Sequence, residues 1–244
     1  MKSSSNRGGS HLAAVHFQRG VTLNEWIAIL LLAVVAFGVA VPYFMNASRA
    51  AARQASAGNL QQWGIALNLF LTEYDNRLPE TGGADIRTED KLAWYNSLPP
   101  YLSQTPLAEL PSFPQPGEPS LWMDPALSKK EKAGVRFSYG MNARLQPDRG
   151  VAPFKIFEID DPTRVVFLTE VAGLSPRVQA ADVRFRHGKK DPDPGAKAHV
   201  LFCDGHVELV SRAELKDNPA AEDSKAPMSK VSWVPFGGAP DPEK

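Results

Sequence analysis

The chain has 244 residues, enough for one moderate domain with additional segments rather than for two full domains. Its 27 basic and 27 acidic residues cancel, so the charge balance gives no reason to expect a nucleic-acid partner. The single cysteine, Cys203, excludes a disulfide within the chain. It lies in a predicted strand, where a buried core residue is a better interpretation than a redox centre.

The N-terminal region has the composition of a membrane anchor. Residues 1–20 carry basic side chains but no acid, and the run from Trp26 to Val41 contains no charge. As a helix, sixteen to twenty such residues span roughly the ~30 Å hydrocarbon core of a bilayer. A basic leader stays cytoplasmic, which predicts a single-pass protein of the inner membrane with its C-terminal domain periplasmic or otherwise extracytoplasmic. Arg49 and Arg53, on the far side, oppose this orientation.

Three interpretations compete for this segment. A secretory signal peptide has a shorter apolar run that ends in small residues, whereas here helix-like sequence continues beyond the run. A plain signal anchor fits the hydropathy but leaves Glu25 unexplained. An acid costs about 2.5–3.5 kcal/mol at the bilayer centre and less near the interface, so an acid here suggests a function.

The third interpretation rests on the motif Gly20-Val21-Thr22-Leu23-Asn24-Glu25, which resembles the type IV prepilin signal. The resemblance implies cleavage by prepilin peptidase between Gly20 and Val21, followed by N-methylation of the new first residue. It also implies that Glu25 pairs with the α-amino group of a neighbouring subunit during assembly, where each charge neutralises the other. Val21 departs from the usual phenylalanine. Pro42 lies where many pilins carry a helix-kinking proline.

Beyond the anchor, residues 46–78 are predicted to continue the same helix with one apolar stripe. Its members recur at three- and four-residue steps: Leu60, Trp63, Leu67, Phe70, Leu71 and Tyr74. We therefore expect five segments: a cytoplasmic leader (1–20), a transmembrane helix (21–45), its amphipathic continuation (46–78), an α+β globular domain (79–212) and a mobile tail (213–244).

Within the globular domain, residues 81–118 predict an irregular, partly helical insertion. Residues 163–171 are rich in β-branched and aromatic side chains and predict a strand. Residues 198–210 predict an antiparallel hairpin, because two apolar runs flank Asp204-Gly205, a dipeptide suited to a type I′ turn.

Several segments in this order are similar to a branch of pilin-like proteins that has a prepilin signal and a C-terminal His-x9-Asp-Gly motif. They are residues 59–79, 138–142, 161–170, 185–188 and 198–207. The resemblance implies a pilin-like α+β fold in which a long N-terminal helix packs on an antiparallel sheet. In this chain sixteen residues, not nine, separate His187 from Asp204. Residues 189–195 are interpreted as an inserted loop that leaves the strand pairing intact.

The C-terminal motif residues His187, Asp204, Gly205 and His206 also raise the question of a metal or catalytic site. With His199 and Glu208 they include the ligand types that a divalent metal needs. However, the chain contains no HExxH, GxSxG or phosphate-loop spacing. We therefore interpret Asp204 as a turn residue and the histidines as sheet-face residues, and expect neither a metal site nor catalysis.

The resemblance also makes Asp191 and Asp193 candidate calcium ligands, because some related pseudopilins bind calcium in a C-terminal loop. Both precede prolines, and Lys189 and Lys190 are adjacent. This arrangement is a poor oxygen cage, and no calcium site is expected.

The resemblance implies a structural protein with no cofactor and no enzymatic activity. It is expected to serve a type II secretion or type IV pilus-like filament. The implied partners are prepilin peptidase, copies of itself and sister pilin subunits, an inner-membrane assembly platform and membrane lipid, with no nucleic acid. The alternative is a membrane-anchored extracytoplasmic binding module or metal-dependent enzyme that uses the region from His187 to His206.

Overall fold

The structure is a computed structural model that describes residues 22–83, 85–115, 118, 120–127, 138–146, 148, 150–171, 173, 175–218 and 229–236. Gly20 and Val21, the predicted cleavage site, lie outside the described residues. The chain divides into two compact units, residues 1–47 and 48–244.

The longest element is helix α1, Leu23–Glu73, which contains Pro42. Proline has no N–H to donate to the carbonyl of residue 38, so one backbone hydrogen bond is missing there. None of residues 23–47 is buried. By length and composition, α1 is the one helix among the described residues that is able to cross a membrane. A signal sequence near an N-terminus can have the same length and the same apolar composition.

The second part of α1 buries one face. Its buried residues are Ser56, Leu60, Trp63, Gly64, Ala66, Leu67, Phe70 and Leu71, which confirms the predicted apolar stripe. The helix ends at Glu73, before the predicted end at residue 78, and Asp75 and Asn76 follow with positive φ. Tyr74 lies just beyond the helix and stacks on Phe70, with the ring centroids 4.1 Å apart.

The rest of the second unit is a six-stranded sheet with short helices. The strands are β1 Tyr139–Asn142, β2 Val166–Glu170, β3 Arg177–Val178, β4 His187–Gly188, β5 Ala196–Phe202 and β6 Val207–Ser211. The short α-helices are α2 Trp94–Ser97 and α3 Arg212–Leu215. The 3-10 helices are Pro99–Leu102, Leu107–Glu109, Ala143–Leu145, Ile156–Glu158 and Ala180–Asp182.

The sheet is mixed, which corrects the expectation of an antiparallel sheet. Its order is β3-β1-β2-β5-β4, with β6 also paired to β5. Strand β1 is antiparallel to β2 but parallel to β3. After β2 the chain crosses to the far edge of β1, so β3 runs in the direction of β1.

Strand β5 has three partners because two short strands share one of its edges. Lys197 to Leu201 pair with β6 on one side. On the other side β4 pairs with Ala196 and Lys197, and β2 pairs with residues 200–202. Residues 189–195 connect β4 to β5, so the pairing is intact across the inserted loop, as predicted.

The predicted hairpin of β5 and β6 is confirmed, but its turn is not type I′. That turn requires positive φ at both central residues, and here only Gly205 has it, at +93°. The strands are joined by four residues, 203–206. The amides of Cys203 and Asp204 donate to the carbonyls of Val165 and Pro162. These contacts with a distant segment set the loop conformation.

Helix α1 packs closely on this hairpin loop. A Cβ on Gly64 would lie 2.6 Å from the Gly205 carbonyl oxygen, and a Cβ on Gly205 would lie 2.6 Å from Asn68 Nδ2. Glycine at both positions therefore permits the approach of helix and loop. Cys203 is fully buried beside them, as expected.

The opposite side of the sheet has its own core, which includes part of the region predicted as a tail. Val231 and Trp233 are buried there with Val200 and Phe202. The Asn142 side-chain amide donates to the carbonyls of Val166 and Trp233, at 3.0 and 2.8 Å. A segment that follows the sheet by twenty residues is thus packed against it.

Candidate functional site

Four buried polar side chains meet between α1 and the sheet. They are Ser56 on α1, Glu170 at the end of β2, His187 on β4 and His199 on β5. We call them the Glu170 cluster. All four are at most 5% exposed. Buried polar groups of this kind need partners, and these find them in one another.

Strand register explains why the three strand residues converge. Leu168 pairs with Leu201 and Thr169 with Val200, so the next step places Glu170 opposite His199. His187 pairs with Lys197, which shares a sheet face with His199 because strand side chains alternate. The two histidines and the glutamate therefore point to the same face.

One carboxylate oxygen is the centre of the cluster. Glu170 Oε1 accepts hydrogen bonds from Ser56 Oγ at 2.6 Å, His187 Nε2 at 2.9 Å and His199 Nδ1 at 2.9 Å. The second oxygen, Glu170 Oε2, is buried and has no hydrogen-bond partner among the described residues. The two imidazole rings lie 4.5 Å apart at 64°.

A chain of hydroxyl groups supports the carboxylate from the helix side. Ser56 gives its single proton to Glu170, so the Tyr139 hydroxyl, 3.2 Å from Ser56 Oγ, donates to Ser56. Asn59 Nδ2 in turn donates to the Tyr139 hydroxyl at 3.4 Å. Burial raises the pKa of Tyr139 well above its usual value, which keeps the phenol protonated.

A second buried carboxylate lies beside the cluster. Asp124 Oδ2 forms an ion pair with Arg186 Nη1 at 3.2 Å, and both side chains are almost fully buried. Burial and the charge of Glu170 raise the pKa of Asp124 to about 6, against the opposing effect of Arg186. The site therefore brings two acids and one arginine together with two histidines.

Proton affinities within the cluster reflect these contacts. Burial by itself would raise the pKa of Glu170, but the hydrogen bonds and charges of His187 and His199 lower it to about 2. Burial by itself would lower the pKa of His187, but its hydrogen bond to Glu170 and the Glu170 and Asp124 charges raise it. Glu170 is thus an anion at neutral pH and attracts positive charge to this point.

The cluster lies beside a surface groove. His199 and Leu209 from the sheet line a cavity of about 660 Å³ along α1. The helix contributes mainly small and polar side chains to it, including Arg53, Gln54 and Gln61. His199 thus joins the buried cluster to this groove.

The structure separates the residues that the C-terminal motif contributes. His187 enters the Glu170 cluster, whereas Asp204 and His206 form a separate pair, with His206 Nδ1 2.6 Å from Asp204 Oδ1. Asp204 also accepts from the His206 amide at 3.1 Å, in keeping with its expected role as a turn residue. Glu208 pairs instead with Lys230.

The sequence interpretation did not identify Glu170 or Ser56 as site residues. One signal was present, because Glu170 follows the apolar run Val165–Leu168 within the same predicted strand. A buried charge needs a partner of opposite charge or a metal.

Asp191 and Asp193 do not form an oxygen cage. Asp191 pairs with Arg212. Asp193 accepts from the Gly195 amide at 2.7 Å and lies 3.5 Å from Lys189 Nζ. Each carboxylate is therefore next to a cation of the chain.

Glu25 lies in the first turn of α1. Its carboxylate accepts from the backbone amide of Thr22 at 2.7 Å and from the Thr22 hydroxyl at 2.9 Å. The acid is therefore presented at the start of the exposed apolar segment.

No known protein family, curated protein or solved structure matches this chain.

Proposed function

We propose that the chain is a pilin-like structural subunit of an inner-membrane filament of the type II secretion or type IV pilus kind. Its prepilin leader is removed after Gly20 by prepilin peptidase, and Val21 becomes the methylated first residue. The apolar half of α1 holds the subunit in lipid and then packs in the filament. The C-terminal α+β unit covers the outside of the filament.

The observation that carries this proposal is the distribution of apolar side chains along α1. Fifteen of the twenty-one exposed large hydrophobic residues of the described chain lie between Leu23 and Met45. Contiguous apolar surface of this extent requires lipid or protein around it. Glu25 lies in the first turn of this apolar segment, and a cationic group of a neighbouring subunit would offset the cost of its charge there.

The rival is a membrane-anchored extracytoplasmic binding module or metal-dependent enzyme, and the groove beside His199 is the observation in its favour. In that case α1 is a simple anchor. The two proposals differ in what they require of Gly20 and Glu25. A filament subunit needs both, whereas an anchored module needs neither.

The first experiment is intact-mass and N-terminal analysis of the full chain expressed with and without a prepilin peptidase. We expect a peptidase-dependent product that begins at Val21 and carries the added mass of one methyl group. A matched variant, Gly20→Leu, should keep its leader in the presence of the peptidase. If the wild-type chain keeps the leader under both conditions, the prepilin proposal is wrong.

The second experiment concerns assembly. Glu25→Ala should be processed like the wild type but should not enter filaments, as measured by cross-linking between subunits in the presence of the assembly platform. Asn24→Ala, one residue away, is the control and should assemble. Normal assembly of Glu25→Ala would favour the anchored-module alternative.

A further inference from the structure

The Glu170 cluster has the composition of a metal centre. Glu170, His187 and His199 each offer a ligand atom, and these atoms lie within 4.8 Å of one another. They come from three strands of one sheet, so their positions depend on strand pairing rather than on a loop. Two imidazoles and one carboxylate form a ligand set that suits zinc, with water at the fourth position.

We propose that Glu170, His187 and His199 bind one divalent transition-metal ion, with Zn²⁺ the preferred ion. The inference goes beyond the proposed filament function and does not depend on it. It also differs from the expectation drawn from the sequence, which was that no metal site exists. Of the candidate ligands weighed there, His187 and His199 belong to the proposed centre, whereas Glu170 was not among them.

The state of the glutamate is the independent observation that supports a ligand. Glu170 is fully buried, and three donors converge on Oε1 while Oε2 has no partner among the described residues. A buried carboxylate oxygen without a partner is costly, and a cation that contacts Oε2 as well as Oε1 would remove that cost. Nearby Arg186 is already engaged with Asp124.

The distances from Glu170 to the two histidines are close to those around a zinc ion. Ligand atoms at about 2.0–2.1 Å from a tetrahedral zinc are roughly 3.3 Å apart, from the bond length and the angle. Both histidine nitrogens lie 2.9 Å from Glu170 Oε1. These two contacts need to lengthen by about 0.4 Å. Each imidazole would carry its proton on the ring nitrogen that faces away from Glu170, which leaves the facing nitrogen with a free lone pair for the ion.

The surroundings supply the support that metal ligands require. Ser56 donates to Glu170, Tyr139 is next to Ser56, and Asn59 contacts Tyr139, so the carboxylate is held through a chain of hydrogen bonds. His199 also lines the groove along α1, so one ligand of the proposed centre lies beside solvent-accessible space. Because Ser56 lies on α1 and the ligands lie on the sheet, a bound ion would strengthen the contact between helix and sheet.

The experiment uses the full chain, without a polyhistidine tag, purified in detergent and stripped of metal with a chelator. Co²⁺ is titrated as a spectroscopic probe, followed by displacement with Zn²⁺ in a calorimeter. We expect one equivalent of Co²⁺ to produce the intense visible absorption of a four-coordinate site. Zn²⁺ should displace it with micromolar or tighter affinity and raise the unfolding temperature.

Variants assign the site. His199→Asn keeps a polar group of similar size and should weaken Zn²⁺ binding at least a hundredfold, and Glu170→Gln should do the same if it folds. The control is His206→Asn, which removes an exposed histidine outside the cluster and should bind like the wild type. The proposal is overturned if the wild type binds no stoichiometric metal, or if His206→Asn loses binding and His199→Asn retains it. Absence of binding would leave the cluster as an ion-paired network and would not affect the test of leader cleavage.

Discussion

The two halves of α1 belong to one continuous helix, but they differ in whether their apolar side chains are exposed or buried. Between Leu23 and Met45 these side chains surround the helix and are exposed. Between Ser56 and Leu71 they form one stripe that is buried within the second unit. The first half therefore lacks a partner within the described chain, and the second half has one.

This difference separates two sources of helix stability. The second half is stabilised by burial of Leu60, Trp63 and Leu67 on the sheet, as for most helices of globular proteins. The first half has no such partner among the described residues, and it contains Gly38 and Pro42, which disfavour helix. Under the proposed function, lipid or neighbouring subunits would stabilise it. Changes in the first half should alter membrane insertion and assembly, and changes in the second half should alter folding.

Removal of residues 1–47 should have the largest effect on solution behaviour. A chain that begins at Ser48 is expected to stay in solution without detergent, because the exposed apolar segment is gone. Since none of residues 23–47 is buried, its free energy of unfolding should equal that of the full chain. Urea unfolding followed by tryptophan fluorescence measures this. Loss of the cooperative transition would mean that the first half supports the globular unit.

Trp63→Ala should cause the largest loss of stability among single substitutions in the helix. Trp63 is fully buried, and its ring lies 4.8 Å from that of Trp122 and 5.6 Å from that of Trp94. Replacing a buried tryptophan by alanine costs about 3–5 kcal/mol through lost burial and a cavity. Leu31→Ala, at a position 62% exposed, is the control and should leave the unfolding free energy unchanged. Equal losses in the two variants would contradict the division of the helix.

Two glycines of α1 allow a finer test. Gly64→Ala places a Cβ 2.6 Å from the Gly205 carbonyl oxygen and should destabilise the protein by about 1–3 kcal/mol. Gly58→Ala meets no atom within 4 Å and should stabilise it by about 0.5–1 kcal/mol through helix propensity. Chemical denaturation of both variants gives the comparison. If Gly64→Ala stabilised the protein as well, helix and hairpin loop would not be in close contact at Gly64.

Features that depend on nearby residues were predictable from the sequence. The stripe of α1 repeats every three or four residues, and the strands of the β5–β6 hairpin are adjacent in the chain, so local patterns indicate both. The turn conformation of Asp204 was not predictable, because it depends on hydrogen bonds to Pro162 and Val165. Strand β3 has only two residues and no pattern of its own, so its parallel pairing with β1 was missed.

The Glu170 cluster shows the same limit. Ser56, Glu170, His187 and His199 are far apart in sequence and meet only through the register of β2, β4 and β5 against α1. Both histidines of the cluster were among the candidate ligands expected from the sequence, but there they were grouped with Asp204, His206 and Glu208 and not with Glu170. In the structure Asp204 and His206 lie in the hairpin loop, where they contact each other and not the cluster. The register of the strands therefore determines which residues a strand histidine contacts. The spacing of residues along the sequence does not predict these contacts.

The exposed face of the second half of α1 should give the smallest effect on stability. Leu69 is 47% exposed and lies one turn from exposed Ile65, on the side away from the buried stripe. Leu69→Ala should change the free energy of unfolding by no more than about 1 kcal/mol, because about half of the side chain is already exposed. If this face contacts a neighbouring subunit, the same variant should lower the yield of cross-linked filaments while its leader is still removed. Leu67→Ala is the control from the buried face and should lose about 2–5 kcal/mol. A fully stable Leu69→Ala that assembles like the wild type would limit subunit contacts to the first half of the helix.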